Sequence, residues 1–252
     1  MKKEATFSVS VGEVIDLLDL WVAEQSGWSE YDSYGTAKKI YKCDGGTVPF
    51  YLYVDDDTAG YAEVRLSEGW DKVNHIAIGN NTTVQYIVKY ACTWRVVGDV
   101  DHLVLYAADT ITNAMGMYAG YTSPILSSDT NSIFIIASQT STSTGGLVTT
   151  HNYDFGYWLF KYGGGAPQAG SLYHPTIGTD SEISINGEGV VLFPPYVGEK
   201  SQAKRCRGRQ KSIYGNGGHL PAGFSVGDTI YLDEMPFVAR EVYGGYCWIK
   251  NG

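Results

Sequence analysis

Cysteine, charge and long apolar runs are all scarce in this chain. Its 252 residues include four cysteines, Cys43, Cys92, Cys206 and Cys247, widely separated and with no CxxC pair, so neither a zinc knuckle nor a redox motif is indicated. They read as free thiols in a reducing compartment. Spacing in sequence does not exclude disulfides, but a secreted scaffold is normally denser in cysteine. Nowhere do about 18 uninterrupted apolar residues suggest a membrane span, and the opening MKKEATFSVSVGEV lacks the apolar run of a signal peptide. A soluble protein made in the cytoplasm is expected. Lys and Arg number 18 against 27 Asp and Glu, a net charge of -9. That balance disfavours nucleic acid as a partner, because phosphate binding is driven by basic side chains releasing counterions.

Local catalytic and metal-binding patterns are missing too. The five histidines, His75, His102, His151, His174 and His219, never form HxH, HxxxH or HExxH, and no metal or cofactor is expected. Asp55, Asp56 and Asp57 lack the alternate spacing and distal Glu of an EF-hand loop and read as a solvated turn. There is no GxSxG, and the serines sit in Ser/Thr tracts with no adjacent base, which leaves acyl transfer without a signature. GGGAPQAG and GNGGH are not followed by the GK[ST] or GxGxxG pattern of a phosphate loop. Carboxylates such as Glu63, Glu68, Asp99 and Asp101 can be paired in many ways and do not define a glycosidase. No enzymatic activity is expected.

What the chain does have is 20 Tyr, 31 Gly and 6 Trp with only 18% charged residues, the composition of a β protein with many turns. Tyr and Trp also suit protein interfaces, where a flat ring gives contact area and its polar tip tolerates water. One helix is predicted from about Gly12 to Gln25. Ser10 and Glu13 fit a capping box, and Val14, Leu17, Leu18, Trp21 and Val22 follow at helical spacing to pack on a sheet. After Gly27 the period changes to two. KKIYKCD, VPFYLYVDD, GYAEVRLSE, KVNHIAIG, TVQYIVKYA, TWRVVGD and DHLVLYAAD read as seven consecutive strands of one sheet.

Between 107 and 123 the alternation lapses, and a short helix near 112–118 is the one regular element suggested there. SIFIIASQ and DFGYWLFKYGGG resume the β pattern, separated by a polar tract at 139–144. A long loop is expected at 163–167, a hairpin at Asn186-Gly187, and two or three closing strands in the last 26 residues. The expected fold is mainly β: an antiparallel β-sandwich or barrel-like domain with one N-terminal α-helix and long loops. One composite domain over 1–252 is the simpler reading, with a conceivable division near 125 into a helix plus β meander and a loop-rich β region.

The run from Lys200 to Lys211 is the sharpest local departure, with six basic residues in twelve positions of an acidic chain. It reads as a partner contact, toward an acidic protein surface in preference to DNA, with a solvated loop as the alternative. Aromatics such as Trp28, Tyr31, Tyr34, Trp70, Trp158 and Trp248 could stack on sugars, although burial accounts for most tryptophans.

The segment TTVQYIVKYACTWRVVGDVDHLVLYAADTITNAMGMYAGYTSPI resembles a pattern in structural proteins of tailed bacteriophages and prophages: a polar opening, a W-x-V strand, a tight turn, a second apolar strand, and a Tyr/Gly/Ala segment ending at proline. Upstream, the helix followed by GWSEYDSYG is similar as well, so the resemblance covers roughly residues 10 to 125. It implies a virion component present in several copies in the tail, baseplate or head-to-tail connector, made in the host cytoplasm and contacting other virion proteins or further copies of itself. The interface candidates are Trp94, Arg95, Tyr106, Met115, Met117, Tyr118 and Tyr121, with Lys204, Arg205, Arg207, Arg209 and Lys211 of the basic run. A carbohydrate-binding or glycan-cleaving module at a tail tip is the alternative.

Overall fold

The structure is a computed structural model that describes residues 2–108, 116–125, 132–137, 156–159, 168–173, 196–199, 206–215, 225, 227–232, 234–242 and 245–251. The chain begins with β1 (Lys2–Thr6), α1 (Glu13–Val22), β2 (Trp28–Tyr34), β3 (Lys38–Cys43), β4 (Phe50–Asp55), β5 (Tyr61–Asp71), β6 (Ile76–Asn81), β7 (Gln85–Val88), β8 (Thr93–Asp99) and β9 (His102–Ala107). It continues with β10 (Gly116–Tyr121), β11 (Ser123–Pro124), β12 (Ile133–Ala137), β13 (Gly156–Trp158), β14 (Gln168–Tyr173), β15 (Tyr196–Glu199), β16 (Cys206–Arg209), β17 (Ile213–Gly215), β18 (Thr229–Leu232), β19 (Met235–Val242) and β20 (Gly245–Lys250).

These strands form three antiparallel sheets and, among the described residues, no closed barrel. The first sheet has the order β2-β3-β4-β5-β6, with β7 pairing the front half of β5. A second, ten-stranded path runs β1-β8-β9-β10-β12-β13-β14-β15-β16-β11, and a small third sheet runs β17-β20-β19-β18. The seven consecutive strands expected in one sheet therefore divide: β3 to β7 belong to the first sheet, while β8 and β9 pair with β1 and β10 in the second.

The second sheet is the middle layer. One of its faces contributes Trp94, Val96, Leu103, Leu105, Met117, Ala119 and Ile135 to a core shared with α1 and with Leu52, Val64 and Ile87 of the first sheet. Its other face contributes Val97, Val104, Tyr106, Tyr118, Phe134 and Ile136 to a second core shared with Ile213 and Ile249 of the third sheet. Covering both faces removes the usual reason for alternation, and β9, β10 and β12 are buried at every position. Hence HLVLYA and IFIIA read as almost unbroken apolar runs.

The same layering corrects the reading of 107–123. Gly116–Tyr121 is neither irregular nor helical but a central strand, paired with β9 on one side and β12 on the other. Its small residues allow a close approach. Gly120 has φ 134, and a Cβ there would overlap the backbone at His102.

The helix is a turn shorter than expected and is capped differently. Glu13 does reach back, accepting from the Ser10 N–H at 2.9 Å. The serine half of the box is absent: Gly12, at φ 87, occupies the N-cap without a side-chain bond, and the Ser10 hydroxyl meets Ser8 instead. The helix-start amide of Val14 is taken from a distance, by Asp56 Oδ2 at 2.8 Å. Asp56 is fully buried and also pairs with Lys89 at 2.7 Å. Asp57 accepts from the Ala37 N–H, and Asp55 pairs with Lys38. The triple-aspartate turn is thus no solvated turn. It locks the helix to the first sheet, with Asp56 supplying the missing N-cap acceptor.

Candidate interaction surfaces

Most aromatic interface candidates turn out to be core. Trp94, Tyr106, Met117 and Tyr118 have no exposed surface, and Tyr121 retains 5%. Trp94 stacks on Phe7 at 5.1 Å, while Tyr118 donates to the Tyr121 carbonyl at 2.6 Å. Tyr121 clamps the first sheet to the second: its hydroxyl donates to Val48 O at 2.6 Å and accepts from the Val48 N–H at 2.7 Å. These side chains are consumed within the chain because the strand that carries them is covered on both faces, and as surface groups they are corrected. Arg95 is half-buried and bound through Nε to Glu4 at 2.9 Å. Met115 lies outside the described residues.

The basic run is only partly described. Lys204 and Arg205 lie outside the described residues, and Arg207 is placed in β16 by its backbone alone. Arg209 is exposed, with its guanidinium 5.4 Å from the Tyr196 ring centroid. Lys211 forms an ion pair with Asp101. From Cys206 to Arg209 the run is a strand between β15 and β11, not the solvated loop that was the alternative to a partner contact.

The surface that does stand open is the hairpin of β5 and β6. Asp71 accepts from the amides of Val73 and Asn74 and from the Asn74 side chain, and these bonds hold its carboxyl below the ordinary value. His75 sits at φ 54. Its ring stacks on Tyr34 at 4.2 Å and its Nδ1 lies 2.9 Å from Asp32. Asp32 also accepts from Trp70 Nε1 at 2.7 Å. Burial raises the Asp32 carboxyl, but these hydrogen bonds outweigh it and the net direction is down. The hairpin is therefore pinned to β2 by a shared carboxylate.

On this rigid base the apolar groups point outward. Val73 is 86% exposed, Ile76 54% and Ile78 53%. β6 is the last strand of its sheet, so its outer edge has no partner strand among the described residues. Its sequence, IAIGNN, contains no charge and no proline, the residues that usually guard an edge.

Beside the hairpin, the outer face of the first sheet carries an aromatic cluster. Trp70 lies between Tyr34 at 6.2 Å and Tyr53 at 5.8 Å, and Arg65 covers Tyr53 at 4.7 Å. Trp70 is only 5% exposed. The ring faces that a sugar would need are largely taken by neighbouring rings, and Trp28 and Trp248 are core residues. Trp158 lies in β13, with its side chain outside the described residues.

The class of molecule thus defined is a layered antiparallel β protein with one helix among the described residues. No family model matches the chain, and no curated protein matches it either. No helix among the described residues is long and apolar enough to cross a membrane.

Proposed function

We propose that the chain is a structural subunit of a phage virion, present in several copies in the tail, baseplate or neck, and that the outer edge of β6 joins it to a neighbouring subunit. The edge strand carries this reading: three exposed aliphatic side chains on a pinned hairpin, on a strand that has no outer partner strand among the described residues, even though Glu68 takes the Asn80 N–H at 3.0 Å and the β5–β6 register shifts at Ser67–Gly69. Such an edge recruits another strand by main-chain hydrogen bonding, while alternate side chains supply selectivity. The resemblance of residues 10 to 125 to tailed-phage structural proteins supports the same role from the sequence side, as does the tyrosine-rich composition.

The test compares the wild-type chain with Ile78→Lys by light scattering across a concentration series and by crosslinking to other virion proteins. Ile78 is half exposed, so the substitution should leave folding stability within about 0.5 kcal/mol while weakening association. Identical association of the two proteins would remove β6 from the interface.

A further inference from the structure

The turn before β9 and the turn before β17 bring a pair of neighbouring side chains to a third that the sequence holds far away. Asp101 Oδ1 lies 2.9 Å from His102 Nδ1, and His102 Nε2 lies 2.9 Å from Ser212 Oγ, 110 positions along the chain. A carboxylate at Nδ1 fixes the imidazole proton on that nitrogen, which leaves Nε2 as an acceptor facing the hydroxyl. Nucleophile, base and orienting carboxylate follow one another at hydrogen-bond distances, the relation by which a weakly nucleophilic serine is activated. We propose that Ser212 is an acylatable nucleophile acting on carboxylic esters, with His102 as its general base and Asp101 as the positioning residue.

A buried histidine tied to two partners also satisfies its own nitrogens, so the contacts alone do not decide. Two further observations do. Ser212 has φ 62, a left-handed conformation uncommon for serine and concentrated at functional sites; its carbonyl is held by the Lys250 N–H at 3.0 Å. Gln210, on the same segment, is 2% exposed, and among the described residues neither polar atom of its amide has a hydrogen-bond partner. A buried amide without a partner is costly in a purely structural site.

The surroundings suit the base. The His102 ring lies 6.0 Å from that of Tyr118 and its side chain is 4% accessible, whereas Ser212 is partly exposed. Lys211 holds the second oxygen of Asp101. The reaction balances with water as the only co-reactant. Ser212 Oγ bonds to the ester carbon as its proton passes to His102 Nε2; the ester C–O bond then breaks and the departing alcohol takes that proton. Water repeats the sequence on the acyl-serine, releasing the acid and restoring the hydroxyl. Esters are favoured over amides because an alcohol leaves with less help from an acid.

The full chain is incubated with a fluorophosphonate probe, and the labelled serine is mapped by peptide mass spectrometry over a range of pH. Selective labelling of Ser212 is expected, absent in Ser212→Ala and slowed about 10²–10⁴-fold in Asp101→Asn, the scale of general-base assistance. In the wild type the labelling rate should rise with pH as the imidazole loses its proton. Labelling of Ser212 no faster than of other serines, or a flat pH profile in the wild type, overturns the proposal even where a variant does not fold. Either result leaves the assembly role to its own association test.

Discussion

Lys89 Nζ and Asp56 Oδ1 meet at 2.7 Å with both side chains completely buried. Lys89 also donates to the Ser10 carbonyl, and Asp56 accepts from the Val14 amide. Burial pushes the Asp56 carboxyl above its ordinary value, while Lys89 and the helix amides pull it back. A sealed pair of this kind adds little net stability, but losing one partner strands a charge. Lys89→Met should cost about 3–5 kcal/mol in urea unfolding. Adding Asp56→Asn, which keeps an acceptor for Val14 without the charge, should recover most of that loss. A small effect of the single variant would mean that water reaches the pair.

Tyr121→Phe removes both hydrogen bonds to Val48. The backbone of Val48 then loses a donor and an acceptor in a partly buried place, at a cost of about 1–3 kcal/mol. Ring packing against Phe50, at 6.1 Å, stays. Denaturant unfolding measures the difference, and a neutral result would show that solvent replaces the hydroxyl.

Cys43 is buried, and desolvation pushes its thiol up to about 12. Because the thiolate is the reactive form, iodoacetamide at neutral pH should leave Cys43 unmodified in the native protein and modify it in denaturant. Rapid native modification, read by peptide mass, would contradict its placement beneath the Val100 turn.

His102 supplies a pH dependence of stability. Burial lowers its pKa, with the Asp101 hydrogen bond opposing, and the net direction is down. The unfolded chain takes up this proton near pH 6.5, before the folded chain does. Stability should therefore be full above about pH 6.5 and decline as pH falls below it. Asp101 and Asp55 behave differently: burial raises each, hydrogen bonds from basic partners outweigh it, and their stabilisation is lost only at more acid pH, as they protonate through folded values below the ordinary one. Denaturation at pH 7 and 5.5 should show a loss in the wild type that is smaller in His102→Gln. An equal loss in both would assign the effect elsewhere.

Much of the fold was visible in the sequence wherever one face of a strand is wet. Strands β5 and β7 alternate because their sheet has an inner and an outer face, and the helix showed its stripe from Val14 to Val22. Legibility failed where that asymmetry disappears. In β10, Met117, Tyr118 and Ala119 are covered on both sides and glycines admit neighbouring backbone, so the segment carries no period-two signal. Asp56 looked like a turn residue because its partners, Val14 and Lys89, lie 42 and 33 positions away. No local pattern could pair His102 with Ser212. The hairpin edge was within reach, since IAIGNN lacks any guarding charge, but its exposure depends on β6 ending its sheet.

The most direct test of the assembly role is quantitative mass spectrometry of intact purified particles, with crosslinks mapped from the β5–β6 hairpin. This chain is expected in several copies per particle, with crosslinks from Lys72, next to Val73, to a neighbouring subunit. Its absence from assembled particles would contradict the account.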